Sequence, residues 1–226
     1  MGLIGHSEGG MIAPMVATNR KDIDFIILLA GPGVKIIDLM AEQNAAIMHS
    51  AGISQLSIDA YLPLYREIIG EITKATDSTF ALVAAKKSLN DWSNKTDPSL
   101  VRELNLQEIK KREDVATQLV QVMYSPWFMY FLSFDPVPFL EKLKCKVLAI
   151  NGDKDIQVIS KQNLPGIEVS LKKSKARHYT IKEMPGLNHL FQTCNKCTLE
   201  EYGKLEETFS PAALQLISEW LEKNVK

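Results

Sequence analysis

A serine stands between two glycines almost at the first residue of the chain. Residues 5–9 read Gly-His-Ser-Glu-Gly, and the pattern G-x-S-x-G is typical of a nucleophile elbow, a tight turn between a strand and a helix that exposes a serine hydroxyl. The short apolar stretch before it suits the end of a buried strand, and the small apolar residues after it suit a closely packed helix. We therefore predict that Ser7 is a nucleophile, against the alternative of an ordinary serine in a glycine-rich turn.

A serine nucleophile needs a base that takes its proton and an acid that orients the base, and both residue types occur downstream. The apolar segment KVLAIN runs into GDKDIQV, which contains Asp153 and Asp155. The later segment MPGLNHLFQ places His189 in a turn-rich stretch after strand-like residues. All three residues follow predicted strands, and an open α/β sheet carries its sites at the carboxyl ends of its strands.

Continuous apolar runs must form the sheet that positions these residues. The run FIILLA at residues 25–30 ends at Gly-Pro-Gly and is typical of a strand buried on both faces of a parallel sheet. The run at residues 146–151 has the same character. The chain is therefore predicted to be an α/β protein.

The segments GLIGHSEGGMIAP, VLAINGDKDIQV and MPGLNHLFQ, which together span most of the chain from Gly2 to Phe191, resemble those of α/β-hydrolases. The chain is similar to bacterial serine esterases and dienelactone-hydrolase-like enzymes, which are also grouped with prolyl-oligopeptidase-type catalytic domains. The resemblance implies a parallel sheet flanked by helices and catalysis without a metal or an organic cofactor.

The resemblance also assigns roles to particular residues. Ser7 corresponds to the nucleophile and His189 to the base. The acid of the family usually stands three residues after the glycine of a G-x-x-D-x-x-V segment, which corresponds to Asp155, with Asp153 as the alternative acid. The backbone N–H of Glu8, the residue after the nucleophile, would be one donor of the oxyanion hole.

Proteins of this family place several strands before the elbow strand, and this sequence contains no residues for them. We therefore expect a sheet that lacks its N-terminal strands and has the elbow strand at its edge. Because an exposed edge strand can pair with another chain, we also expect a homodimer that forms through residues 2–4. A clean monomer in light scattering at high concentration would argue against that dimer.

Roughly 110 residues lie between the second predicted strand and the third, far more than one loop and one helix require. Apolar residues recur there at the three-to-four spacing of helices. This spacing predicts helices over residues 39–51, 58–74, 79–92 and 100–124. Pro63 is expected to bend or restart the second of them. We predict a hydrolase core of residues 1–33 and 145–226, and a helical cap of residues 34–144 inserted over the active site.

The composition argues against several other classes of function. With 26 Lys and Arg against 27 Asp and Glu, the net charge is −1, and no basic stripe indicates a nucleic-acid partner. No apolar run reaches the length of about 18 residues that a transmembrane helix needs, so no membrane partner is expected. No signal peptide is recognisable, which says little because the true N-terminus is expected to be missing; the location stays open, with a cytoplasmic one as the weaker expectation.

The three cysteines predict neither a disulfide framework nor a metal centre. An odd, small number of cysteines argues against such a framework. Cys194 and Cys197 form a C-x-x-C pair, but a zinc site would need two further ligands and no second pair exists. We expect a loop with two cysteines that binds no metal.

These observations and the resemblance together imply hydrolysis of a carboxylic ester through an acyl-enzyme, with a small-molecule ester or acyl compound as substrate. Thioesterase, peptidase and acyltransferase activities remain alternatives, because the same three residues can serve all of them. A catalytically inactive fragment or an interaction module is the alternative from a different class.

Overall fold

The computed structural model describes residues 1–176 and 178–225. Within these residues the chain forms four strands, ten α-helices and a 3-10 helix at Leu199–Lys204. The strands are β1 (Gly2–His6), β2 (Phe25–Leu29), β3 (Lys146–Gly152) and β4 (Tyr179–Met184). The helices are α1 (Glu8–Asn19), α2 (Ile36–Ser50), α3 (Gln55–Lys74), α4 (Ser78–Lys95), α5 (Pro98–Glu103), α6 (Ile109–Met123), α7 (Pro126–Ser133), α8 (Val137–Leu140), α9 (Ser160–Lys173) and α10 (Pro211–Asn224).

The four strands form one parallel sheet whose order, β1-β2-β3-β4, follows the chain. The register aligns Gly5 with Leu28, Leu28 with Ala149, and Ala149 with Ile181. The carboxyl ends of the strands therefore share one edge of the sheet, which is the edge where α/β proteins carry their sites. The predicted fold class, α/β with a parallel sheet flanked by helices, is confirmed.

The two central strands are buried on both faces. Residues 26–29 of β2 and 147–150 of β3 are each no more than 7% exposed. This explains why both strands read as continuous apolar runs rather than as alternating patterns. Burial of each isoleucine or leucine among them contributes about 1.5–3 kcal/mol to folding, so β2 and β3 form a rigid support for the loops that follow the strands.

Helices cover the sheet according to the alternation of its side chains, since successive residues of a strand point to opposite faces. Helices α1 and α9 pack in one cluster with Ile26 and Ala149. On the other face, the Trp220 ring of α10 lies against Phe25, with ring centroids 6.1 Å apart. The Trp220 indole N–H donates to Thr180 Oγ1 at 3.1 Å, which satisfies a polar group that would be costly to bury unpaired.

The chain divides into two compact units. Met1–Lys35 and Asp135–Lys226 form the sheet unit, and Ile36–Phe134 forms a unit whose described elements are the helices α2 to α7. A role for the second unit as a cap over the active site stays a prediction. None of the described helices combines the length and the apolarity that crossing a lipid bilayer requires.

The helical unit differs from the sequence-based expectation in two places. The expected single helix over residues 100–124 is two helices, because the chain leaves helical geometry between α5 and α6, where Asn105 has a φ of 56°. Asparagine is one of the few residues that tolerate this left-handed conformation. Pro63 does not restart α3, which is continuous through it. The buried face of α3, which includes Tyr65 and Ile68, offsets the hydrogen bond that the proline removes.

Strand β1 lies at one edge of the described sheet. Its Ile4 side chain is 59% exposed, although Gly5 next to it is buried. An apolar residue on an open strand edge is the kind of feature that another strand can cover. Dimer formation through residues 2–4 stays a prediction, and light scattering of the purified chain is the measurement that decides it.

Candidate active site

Ser7 occupies the turn between β1 and α1. Its φ is 54° and its ψ is −114°, a conformation close to the first corner of a type II′ turn, which usually requires glycine. Its N–H donates to the Leu29 carbonyl on the neighbouring strand at 2.8 Å, and its carbonyl accepts from the Gly10 N–H at 2.8 Å. Such backbone strain costs on the order of 1–3 kcal/mol and is most often found at functional sites. The strand, strained serine and helix together form the elbow that the motif predicts.

Close backbone approaches explain two of the glycines around Ser7. A Cβ atom on Gly5 would lie 2.0 Å from the Gly9 carbonyl oxygen, and one on Gly10 would lie 2.5 Å from the Gly31 Cα. A Cβ atom on Gly9 would meet nothing within 4 Å. The second glycine of the motif is therefore not needed for its own lack of a side chain; its backbone oxygen is what excludes a side chain at position 5.

This difference predicts opposite outcomes for two matched substitutions. Gly5→Ala should lower the free energy of unfolding by about 1–3 kcal/mol or more, because the added methyl group overlaps backbone that cannot move independently. Gly9→Ala should be neutral or stabilise the protein by up to about 1 kcal/mol, because alanine is the better helix former. Urea unfolding of both variants measures the two changes, and equal destabilisation by both would contradict the close packing described for the elbow.

Asp155 and His189 form a buried pair in the loops that follow β3 and β4. His189 Nδ1 lies 2.8 Å from Asp155 Oδ2, and the two residues are only 5% and 4% exposed. The other carboxylate oxygen, Oδ1, accepts the backbone N–H groups of Gln157 at 2.7 Å and Val158 at 2.9 Å. Both oxygens of the carboxylate therefore have hydrogen-bond partners, as a buried charge requires.

This geometry fixes the proton on the imidazole ring. An ionised carboxylate only accepts hydrogen bonds, so His189 Nδ1 must carry the proton that it shares with Asp155. In the neutral ring the lone pair then lies on Nε2. His189 is thereby held in the tautomer that can accept a proton through Nε2, which is what a general base must do.

Asp153, the alternative acid, lies in the same loop but has different partners. Its Oδ1 accepts the Gly186 N–H at 2.6 Å, and its Oδ2 lies 3.6 Å from Lys154 Nζ. In residues 1–176 and 178–225, no hydrogen bond joins Asp153 to His189. Asp153 links the loop after β3 to the loop after β4, whereas Asp155 is the carboxylate that contacts the imidazole. The catalytic role of Asp155 stays a prediction.

The histidine loop is braced by residues that sequence reasoning did not single out. Asn188 is fully buried, and its Oδ1 accepts the N–H groups of Leu190 at 2.9 Å and Gln192 at 3.0 Å. The Asn188 amide donates to Gln192 Oε1 at 3.0 Å. These contacts form a compact turn that presents His189 at its second position. Asparagine favours turns in which its side chain bonds to nearby backbone, and this preference could have identified Asn188 from the sequence.

A disulfide follows the histidine loop. Cys194 and Cys197, expected as a loop with two cysteines, are joined by an S–S bond, a local bridge that the sequence did not predict. The Glu201 carboxylate accepts backbone N–H groups from residues 195, 196 and 197, and the bond from Lys196 is the main cause that lowers the pKa of Glu201. The side chains of Cys194, Cys197 and Glu201 are close enough together to suit a metal ion, but the two sulfur atoms are bonded to each other.

His6, the residue before Ser7, contacts the histidine loop. The His6 ring lies 4.8 Å from the His189 ring, centroid to centroid, and its Nε2 is 2.8 Å from the His189 carbonyl oxygen. Among the described residues, no hydrogen bond joins Ser7 to His189; such contacts often close only when a substrate binds.

Glu8 is the first residue of α1. Its N–H therefore belongs to the helix end where backbone donors converge and where the helix dipole favours negative charge. This position agrees with the oxyanion role that the resemblance implies for its N–H, which stays a prediction.

No protein-family model and no curated protein matches this sequence. Solved structures with a similar fold include a proline iminopeptidase-related protein from Thermus thermophilus, at TM-score 0.43 and 15% identity over 100% of this chain and 65% of that one. They also include an esterase from Rhodococcus sp., at TM-score 0.41 and 13% identity over 99% and 65% of the two chains. A meta-cleavage product hydrolase from Pseudomonas fluorescens has a TM-score of 0.38 and 13% identity over 97% and 64%. The chain thus spans less than two thirds of these proteins, and likenesses at these scores identify no activity.

Proposed function

We propose that this chain carries the catalytic residues of a serine hydrolase of the α/β-hydrolase type, which cleaves carboxylic esters through an acyl-enzyme. The buried Asp155–His189 pair is the observation that supports this most strongly. Burying a carboxylate is costly unless it is paired and hydrogen-bonded, as Asp155 is, and this pair follows two adjacent strands of the sheet that also carries the strained Ser7. A purely structural role would not need a serine in a glycine-like conformation nearby.

The proposed reaction uses each residue in turn. Ser7 Oγ attacks the ester carbonyl carbon and passes its proton to His189 Nε2, while Asp155 keeps the imidazole in the required tautomer and stabilises the imidazolium. The negative charge that develops on the carbonyl oxygen is stabilised by the Glu8 N–H. The tetrahedral intermediate then expels the alcohol, which takes the proton from His189 and leaves the acyl group on Ser7.

Water completes the cycle. A water molecule gives a proton to His189 Nε2 and attacks the acyl carbon, and the second tetrahedral intermediate releases the carboxylic acid as Ser7 regains its proton. The residues named supply all of the proton transfers, so this mechanism calls for no metal and no organic cofactor. Residues 34–144 are proposed as the cap that shapes the substrate site.

Related activities differ in the leaving group of the substrate and in the molecule that accepts the acyl group. A thioesterase, a peptidase or an acyltransferase would use the same three residues with a different leaving group or with an alcohol or amine in place of water. A panel of oxygen esters, thioesters and anilides of one short acyl chain, assayed side by side, ranks these activities. We expect the oxygen esters to give the highest kcat/KM.

Labelling with a fluorophosphonate tests the proposal without knowledge of the substrate. Such a probe forms a stable adduct with an activated serine, and peptide mass spectrometry locates it. We expect the adduct on Ser7 in the native protein and little labelling after heat denaturation. An unlabelled Ser7 in correctly folded protein would favour the inactive module, and an adduct on another serine would place the nucleophile elsewhere.

A further inference from the structure

One hydrogen bond connects the elbow to the histidine loop across 183 residues of sequence. His6 Nε2 lies 2.8 Å from the His189 carbonyl oxygen. A carbonyl oxygen only accepts hydrogen bonds, so the proton must be on Nε2 of His6, and the ring donates it. The sequence pattern G-x-S-x-G places no constraint on this position, so the motif does not explain the histidine.

The ring of His6 is also packed against the same loop. It lies 4.8 Å from the His189 ring and 6.2 Å from the Phe191 ring, centroid to centroid. The His6 backbone is fixed in turn, because β1 pairs with β2 and aligns His6 with Leu29. The next residue along the chain is Ser7. One side of the contact is therefore anchored in the sheet beside the nucleophile, and the other is the main chain of the base.

We propose that His6 is a positioning residue for the hydrolase reaction: its Nε2–H holds the main chain of His189 at a fixed distance from Ser7. This inference rests on the proposed function. Asp155 fixes the tautomer and one edge of the imidazole, and Asp153 and Asn188 brace the loop, but none of these bonds reaches the elbow. The His6 contact ties the loop to the elbow itself, and catalytic rates fall on the order of a hundredfold for misplacements of about 1 Å.

The charge of His6 matters because it faces the base. Partial burial against the loop is the main cause that lowers the pKa of His6, the hydrogen bond to His189 opposes this, the charge of His189 lowers the pKa further and the charge of Asp155 raises it. His6 is therefore neutral at pH 7 and above. When His189 becomes an imidazolium during the reaction, a neutral His6 adds no repulsion, whereas a protonated His6 would.

The contribution of His6 to the stability of the fold depends on pH. The lowered pKa means that the unfolded chain takes up the proton first as the pH falls, so the contribution of His6 to stability is complete above the ordinary histidine pKa of about 6.5 and is lost below it. A protonated His6 would also repel the imidazolium that forms on His189 during the reaction. On the acid side, kcat/KM of the wild type should therefore fall more steeply than that of a variant with a neutral side chain at position 6.

Three substitutions and one control test the proposal by steady-state kinetics. His6→Leu removes the hydrogen-bond donor, and His6→Asn carries its N–H on a side chain too short to reach the His189 carbonyl. Each should lower kcat about ten- to a hundredfold with KM nearly unchanged. His6→Gln keeps an N–H at the position of Nε2, so kcat should return to within about threefold of the wild type, and its acid limb should follow a single proton. The control His49→Gln, on the exposed end of α2, should behave as the wild type.

NMR separates this inference from the proposed function, because it needs no turnover. The chain has four histidines, so the imidazole signals can be assigned by substitution. The Nδ1–H signal of His189 should be sharp in the wild type and in His6→Gln, and broadened or lost in His6→Leu and His6→Asn. If the wild type shows no hydrolysis that depends on Ser7, the proposed function fails while this signal still tests the contact. An unchanged His189 signal in both His6→Leu and His6→Asn, or unchanged kcat with the wild-type pH profile in these two variants, would overturn the proposal.

Discussion

Replacing Ser7 by alanine is expected to lower kcat for a short p-nitrophenyl ester by about 10⁶-fold, the loss seen when a triad serine is removed from a serine protease. Without Oγ there is no nucleophile and no acyl-enzyme, and the remaining groups can only bind the substrate and polarise it. The residual rate should come from direct attack by water. Release of p-nitrophenol, followed at 400 nm or thereabouts under substrate saturation, measures the loss.

Folding should survive this substitution. Alanine has the same Cβ atom as serine and so meets the same strain at a φ of 54°, and Ser7 Oγ makes no described hydrogen bond whose loss would destabilise the turn. Ser133→Ala, at an exposed hydroxyl that donates to the Tyr130 carbonyl, is the matched control. If Ser7→Ala and Ser133→Ala hydrolysed the ester equally fast, Ser7 would not be the nucleophile.

Asp155→Asn should lower kcat by about 10⁴-fold, and the hydrogen bonds around the carboxylate explain why. Oδ1 of residue 155 accepts two backbone N–H groups, so an asparagine will keep its oxygen there and turn its NH₂ group toward His189. An N–H facing Nδ1 favours the tautomer with the proton on Nε2, which removes the lone pair that the base needs. The triad aspartate of a serine protease loses about the same factor when it becomes asparagine.

Asp153→Asn is the natural comparison, because it makes the same chemical change in the same loop. The asparagine oxygen can still accept the Gly186 N–H, and the imidazole keeps its partner. We expect kcat to stay within about threefold of the wild type and the unfolding free energy to change by less than about 1 kcal/mol. A loss of activity at position 153 as large as that at position 155 would return Asp153 to the role of the acid.

Much of this site could be predicted because it depends on local patterns. The elbow needs a serine at one position of a short motif, and apolar runs mark the strands that carry the other two residues. The resemblance favours Asp155 over Asp153 as the acid, and the structure places Asp155 against His189, although its catalytic role stays a prediction. The order of these residues along the chain was enough to predict that they lie near one another, because parallel strands bring their carboxyl ends to a common edge.

Other features escaped the sequence because they depend on contacts between distant segments or on loop geometry. The His6–His189 bond joins residues 183 positions apart, and no local pattern records it. The division between α5 and α6 depends on a single left-handed residue, Asn105. The Cys194–Cys197 bridge depends on the turn between the two residues, and counting cysteines cannot reveal a turn.

The central claim is that Ser7 becomes acylated during turnover, and trapping that species tests it most directly. The protein is mixed with p-nitrophenyl acetate, quenched with acid within the first turnover, digested and analysed by mass spectrometry. We predict one acetyl group on the peptide that contains Ser7, formed at the rate of the p-nitrophenol burst and absent from Ser7→Ala. Turnover of the ester with no acetyl group on Ser7 at any quench time would contradict the account.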